Sequence, residues 1–388
     1  MPLWLNKANI YLFAWCVYSS QGIFFPKGTL FTQLLVIVLL TISFYYVFVA
    51  NTRYKLPLYF WGLNLLLSLF IVYGVYLMIG GYNSFDYALP VDSFNYLKVI
   101  LISLIPIYPF YVFSKECLIT EKYLVVCFFI LFGLTIANYY EQENELLIKA
   151  MLLGNDAEEF TNNVGYVFLS LMPICVFLYK RPILQYIALG ACLLFIFMSM
   201  KRGAIAIGTL CFVLFICENL KNASFKRKVG ILSLSTVLCF IGYQYIENKI
   251  QESLYFQKRI TDTLQGNSSG RDKLYNQSAN FFWNDASAIQ FLFGAGANGT
   301  LKVSDDYAHN DWLEIAVNQG VLGLIFFVIY WFLFAKTVFF GKYERNEKAI
   351  LQFILMIYFL RTFFSMSYGA MGYIPMLSLG YCLASKKE

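Results

Sequence analysis

The chain has 388 residues, of which 59% are hydrophobic and only 13% charged, with a mean hydropathy of +0.61 and a formal charge of +6. Soluble domains run about 45–50% apolar and about 25% charged, so these few charges cannot clothe a water-soluble surface, and a soluble enzyme, a nucleic-acid binder and a disordered chain are excluded. Lipid is the expected solvent, and the excess of Lys and Arg is read as sorting across a bilayer.

A crossing helix needs roughly 20 mostly apolar residues. In chain order the apolar runs lie at 8–25, 30–50, 57–79, 97–113, 121–140, 163–179, 183–200, 203–218, 229–246, 314–335, 348–364 and 369–384. They are continuous, not alternating, which favours helices over barrel strands, the two architectures that satisfy backbone polar groups in hydrocarbon. The expected fold is an all-α polytopic membrane protein of about 12 transmembrane helices. The 183–218 region is interrupted only by Lys201-Arg202-Gly203, which leaves eleven as the alternative count. No small-residue cleavage site follows the first run, so it reads as a retained span. The nine cysteines lie in or beside apolar runs without a CxxC pair and read as small buried hydrophobes.

Lys and Arg counted in alternate loops set the orientation. With the N-terminus inside, 17 of the 29 fall inside and 12 outside, six of the latter in one long loop where the rule is weak. Both termini are expected in the cytoplasm. The outer exceptions are Lys201-Arg202, between two apolar spans, and Arg361, near the outer end of the eleventh. An ionisable residue at membrane depth is a functional-site hypothesis by default. Interfacial snorkelling is the bland alternative, and it suits Lys201 better than Arg202.

This divides the chain into 1–246 with nine spans, a large outer loop at 247–313, and 314–388 with three more. The loop exceeds every other connection, and such lengths usually carry function or structure of their own. Arg271 to Trp283 can form an amphipathic helix at the membrane surface, opened by a cap-like Ser268-Ser269-Gly270. Gly294-Ala295-Gly296-Ala297-Asn298-Gly299 reads as a bend returning the chain to the bilayer; a phosphate cradle lacks its strand–turn–helix context. A second outer loop, 141–162, is acidic and expected to be solvated.

The single histidine, His309, stands where the long loop meets the tenth span, flanked by Asp306, Asn310 and Asp311. Imidazole is the side chain whose unperturbed pKa, about 6.5, suits proton transfer near neutrality. Two chemistries fit. One is metal-assisted transfer with Asp305, Asp306, His309 and Asp311 as hard ligands, although adjacent residues rarely converge on one ion. The favoured one is metal-free transfer from a lipid-linked diphosphate, with arginines supplying the charge an ion would give the leaving group. Arg202, Arg271 and Arg361 lie on the required side.

His309-Asn310-Asp311-Trp312-Leu313-Glu314, followed by Asn318-Gln319-Gly320-Val321-Leu322-Gly323, resembles the signature of the O-antigen ligase and polymerase superfamily. Lys201-Arg202-Gly203-Ala204 resembles its Arg-Gly-Ala helix junction, Ser269-Gly270-Arg271 its loop arginine, and Gly294-Ala295-Gly296 its Gly-x-Gly. The resemblance covers about 165–335. It implies a GT-C-like, inverting, metal-independent glycosyltransferase at the periplasmic face of a bacterial inner membrane, with no cofactor and an undecaprenyl-diphosphate-linked glycan as donor. On that reading His309 is the base, Arg202 and Arg271 hold the diphosphate, and Asn310, Asp311 and Glu314 support; Arg361, beyond the stretch of resemblance, is a further diphosphate candidate by its place on the same side. The implied partners are the lipid-linked oligosaccharide, the bilayer, a chain-length regulator and a flippase, with no nucleic acid.

An O-antigen polymerase is the favoured member, on the HNDWLE wording and the Phe- and Tyr-rich composition (39 and 30 residues). An O-antigen ligase acting on lipid A-core shares the chemistry and differs in acceptor. A lipid-linked glycan flippase or transporter fits the span count, but no two-fold hydropathy repeat is evident and the marked residues cluster on one face.

Overall fold

The computed structural model describes residues 6–80, 87–89, 91–153, 162–221, 224–252, 257, 261, 270–365 and 372–385. Helices form where the apolar runs lie: α1 (Lys7–Ser19), α2 (Leu30–Arg53), α3 (Leu58–Ile79), α4 (Ser93–Leu104), α5 (Ile107–Lys115), α6 (Glu121–Leu153), α7 (Gly165–Leu171), α8 (Pro182–Met198), α9 (Arg202–Lys221) and α10 (Phe225–Glu252). Then come α11 (Arg271–Asn280), α12 (Ala288–Phe293), α13 (Thr300–Val303), α14 (Asp311–Phe340), α15 (Arg345–Arg361) and α16 (Tyr373–Ala384). A 3₁₀ stretch, Met172–Lys180, continues α7, and a π-helical turn, Phe281–Asp285, continues α11. Among the described residues the only β pairing is an isolated bridge between Gln21 and Phe25.

The protein is therefore an all-α membrane protein. Six helical segments among the described residues are long and apolar enough to cross a bilayer: Leu30–Arg53, Leu58–Ile79, Phe94–Lys115, Glu121–Leu146, Arg202–Lys221 and Asp311–Phe340. The fourth expected span is α4 and α5 together, bent at Pro106, which has no N–H to continue the ladder. Gly165–Lys180, Pro182–Met198 and Tyr373–Ala384 are apolar but shorter. Large apolar side chains such as Phe48, Trp61, Val72 and Phe332 stand exposed on the crossing helices, as suits contact with lipid. Of the cysteines, Cys127, Cys175, Cys192, Cys211 and Cys382 are buried as expected, while Cys117 and Cys217 are exposed.

Two sequence expectations need correction. The acidic 141–162 segment is not a loop throughout, because α6 runs on to Leu153 and carries Glu141, Glu143 and Glu145 on good helix-forming sequence. Lys27 fastens that extension, its Nζ lying 3.1 Å from Glu141 Oε2 and 2.9 Å from Glu145 Oε2; Asp156, Glu158 and Glu159 lie outside the described residues. The surface helix begins at Arg271 but ends at Asn280, where the π-helical turn widens the ladder before Trp283 can join the same face. Ser268 and Ser269 lie outside the described residues.

The chain divides into two compact units, one of Met1–Asn9, Val36–Ile119 and Ser268–Glu388, the other of Ile10–Leu35 and Thr120–Asn267. In the first, α14 packs along α3, and α16 along α5. Close approach there relies on glycine: a Cβ on Gly62 would lie 3.0 Å from the Tyr330 backbone, and one on Gly380 2.9 Å from the Tyr111 nitrogen. The Tyr59 ring meets Phe334 edge-on at 4.7 Å, and the Tyr59 N–H, left free at the start of α3, donates to Thr337 Oγ1 at 2.9 Å. In the second unit Phe195 of α8 stacks on Phe168 of α7 at 4.7 Å and meets the Tyr139 ring of α6 edge-on at 5.4 Å.

Candidate functional site

The start of α14 is built by its own sequence. Asn310 is the N-cap, its Oδ1 accepting the N–H groups of Trp312 at 3.0 Å and Leu313 at 3.3 Å, two of the donors that a helix start leaves unmet. One residue earlier, half-buried His309 holds a left-handed backbone at φ 53°, a conformation that costs a non-glycine residue roughly 1–2 kcal/mol. Glu314, one turn into the helix, is fully buried. Its carboxylate accepts Thr300 Oγ1 at 2.7 Å, the Ala308 N–H at 2.5 Å and Asn318 Nδ2 at 3.4 Å, and the His309 N–H also faces it. Asn318 Oδ1 in turn accepts the Thr300 N–H at 2.8 Å. A buried carboxylate is tolerable only when hydrogen-bonded in this way.

The same helix start is tied to the end of α15. The N–H of Asp311, itself fully buried, donates to the Thr362 carbonyl at 2.8 Å, and Trp312 Nε1 donates to Thr362 Oγ1 at 3.0 Å. The indole also stacks on Phe363, ring centres 6.0 Å apart. From the long loop, Arg271 sends Nη1 to the Phe364 carbonyl at 3.2 Å. Gly270 sits before it at φ 81°, a turn that suits glycine and opens α11 on the arginine. Arg361 is the buried last residue of α15, and its carbonyl accepts the N–H groups of Phe364 and Ser365, each at 3.0 Å. The segments carrying His309, Arg271 and Arg361 thus converge on the five residues 361–365.

Inside α14 the helix is broken at Gly320, with φ 66° and ψ −160°. A break at bilayer depth frees carbonyls that lipid cannot satisfy. The glycine-rich loop meets that need: the Ala295 N–H donates to Val317 at 2.7 Å and the Gly296 N–H to Asn318 at 3.0 Å. The bend expected at 294–299 therefore serves as a plug for an interrupted helix, a feature that hydropathy did not reveal. Tyr73 of α3 adds a hydroxyl bond to the Phe293 carbonyl.

Arg202 belongs to the second unit, where it opens α9. The junction before it is pinned. Met200 is left-handed at φ 57°, the Asn162 N–H donates to the Ser199 carbonyl at 3.1 Å, and Tyr139 donates to the Met198 carbonyl at 3.2 Å. Lys201 and Arg202 are both half-buried. Among the described residues the left-handed non-glycine positions are Cys117, Met200, Asn298 and His309; Asn298 and His309 fall in segments marked from the sequence, and Met200 directly precedes one. Strained backbone of this kind gathers where function constrains it.

The carboxylates weighed as metal ligands are engaged elsewhere. Asp305 is exposed and lies 2.6 Å from Lys273 Nζ, Asp306 accepts the Tyr307 N–H at 2.7 Å, and Asp311 is buried in the helix start. Among the described residues no three His, Cys, Asp or Glu side chains gather as an ion would require. Burial, then the negative charges of Glu314 and Asp306, pushes the Tyr307 hydroxyl above its ordinary pKa, so it stays a neutral hydrogen-bonding group. Sequence reasoning missed Thr300 and Thr362. Asn318 could have been found, since it lies four residues after Glu314 on one helix face.

Residues 187–328 match the family described as O-Antigen ligase. The chain is also similar to an O-antigen polymerase of Salmonella muenchen, 30% identical over 162 residues, which is 39% of this chain and 38% of that protein. The match thus spans well under half of the relative's length. Both findings support the O-antigen ligase and polymerase superfamily, and the family match at 187–328 holds Arg202, Arg271 and the His309–Glu314 segment.

Proposed function

We propose that this chain is an O-antigen polymerase, an inverting and metal-independent glycosyltransferase that joins undecaprenyl-diphosphate-linked repeat units at the periplasmic face of a bacterial inner membrane. The observation that carries this reading is the meeting of the His309, Arg271 and Arg361 segments on residues 361–365. His309 takes the proton from an acceptor sugar hydroxyl as its oxygen attacks the donor's anomeric carbon. The bond from that carbon to the diphosphate oxygen breaks on the opposite face, and undecaprenyl diphosphate departs with the electron pair. Arg271 and Arg361 hold the leaving diphosphate, since guanidinium binds phosphate oxygens bidentately and keeps its charge. Arg202 retains the role of a third cation that the resemblance implies, and Arg202→Ala tests it separately.

Topology follows the same reading: twelve crossings in a GT-C-like arrangement, both termini cytoplasmic, and the 247–313 loop outside. Four ion pairs support it by joining residues that the charge count assigns to one side. Lys27 pairs with Glu141 and Glu145 outside, Lys7 with Glu116 inside, and Lys180 with Glu121 inside.

The family description favours a second reading, an O-antigen ligase that transfers the glycan to lipid A-core. Interrupted helices are a transporter habit, but here the Val317 and Asn318 carbonyls beside the Gly320 break are taken by the N–H groups of Ala295 and Gly296.

The test is complementation of a gene deletion by wild type and His309→Ala, with surface polysaccharide resolved by size. Core bearing one repeat in the variant is the polymerase outcome. Bare core with long chains on the carrier lipid is the ligase outcome, and normal long chains on His309→Ala would remove the base assignment.

A further inference from the structure

We propose that Glu314 is a positioning residue for His309, acting through the main chain and not through the imidazole. The inference rests on the reading of His309 as the base and gives that base its support. The fully buried Glu314 carboxylate accepts the backbone N–H of Ala308, together with Thr300 Oγ1 and Asn318 Nδ2, and the N–H of His309 faces it. On the other side of the histidine, Asn310 is locked as the helix cap. His309 is therefore clamped between two anchored neighbours, and it is held left-handed at φ 53°.

A left-handed residue launches its side chain in a direction that neither helical nor extended backbone reproduces. Such a conformation persists only when the surroundings over-determine it. Without the carboxylate, residues 308–309 would relax toward ordinary backbone and the imidazole would leave its attack geometry, while the diphosphate contacts, which come from other segments, would remain. Glutamine has the right shape for this place but the wrong chemistry. It offers one acceptor oxygen, and its NH₂ would face a donor at Ala308, His309 or Thr300.

The experiment uses the full-length chain reconstituted in phosphatidylethanolamine–phosphatidylglycerol vesicles. The probe is the polyprenyl-diphosphate-linked repeat unit extracted from cells lacking this gene. For Glu314→Gln we expect turnover lower by about 10²-fold, the scale of a misplaced reacting group, with half-saturation by the lipid-linked donor unchanged. Thr300→Val, which removes one hydroxyl donor from the carboxylate, should lower turnover in the same pattern, and Thr300→Ser should restore it. Wild-type turnover in Glu314→Gln, or a loss that appears as weakened donor binding, overturns the proposal. If Glu314→Gln does not accumulate, the threonine pair decides, and equal behaviour of Thr300→Val and Thr300→Ser overturns it. His309→Ala is run alongside. An active His309→Ala sinks the functional reading and the positioning role with it, whereas a dead His309→Ala beside a fully active Glu314→Gln sinks the positioning role alone.

Discussion

The main chains of Gly294 and Gly320 lie against each other: a Cβ on Gly320 would sit 2.6 Å from the Gly294 nitrogen, and one on Gly294 would sit 2.3 Å from the Asn318 carbonyl carbon. Both glycines also hold positive φ, at 77° and 66°. Space and backbone conformation therefore exclude a side chain at either position for independent reasons. Gly320→Ala should destabilise the protein by about 1–3 kcal/mol through strain and overpacking together. The midpoint of thermal unfolding in detergent is the measurement, and an unchanged midpoint would mean that the loop does not dock on the break.

Removing the Arg271 guanidinium takes away a fixed cation and its tie to the Phe364 carbonyl. Arg271→Ala is expected to lower polysaccharide extension by about 10²–10³-fold, the cost of losing one preorganised charge-stabilising donor. Arg271→Lys should recover little, because a point charge cannot reproduce the planar fork. The size distribution of surface polysaccharide reads both, and wild-type chain lengths in the lysine variant would make Arg271 structural.

Trp312→Phe keeps a ring against Phe363 but loses the indole bond to Thr362. The expected cost is about 0.5–1.5 kcal/mol, the net worth of one hydrogen bond. A cycle with Thr362→Val separates that bond from packing, and additive losses would show that the two groups are not coupled.

On the metal-free reading, extension by the purified protein continues at its full rate in excess EDTA. Loss of activity that returns with a divalent cation would transfer the leaving-group role from the arginines to an ion.

How much of this was legible in advance differs by level. Apolar runs placed the helices well, because lipid solvation is a property of composition and acts on long windows. They were poor at ends, as at Glu141–Glu145, where helix-forming residues and the reach of Lys27 carry α6 past its apolar part. The capping role of Asn310 went unread, because the sequence marked that residue only as a neighbour of His309. The Glu314 cluster was not legible either, since its threonine comes from fourteen residues upstream and nothing in the spacing announces it. The meeting of Arg271 with Phe364 joins positions 93 residues apart, a distance that only tertiary packing bridges.

Residues 361–365 receive Asp311, Trp312 and Arg271 at once, so the C-terminal tip of α15 acts as a shared mooring. Any tilt of that helix moves the three attachments in concert, keeping their spacing while re-aiming the whole constellation. Core positions one to three turns below, such as Tyr358, Ile354 and Leu351, are buried. On the proposed function they form a lever on the reaction, and conservative changes of volume there should retune turnover without dismantling the site.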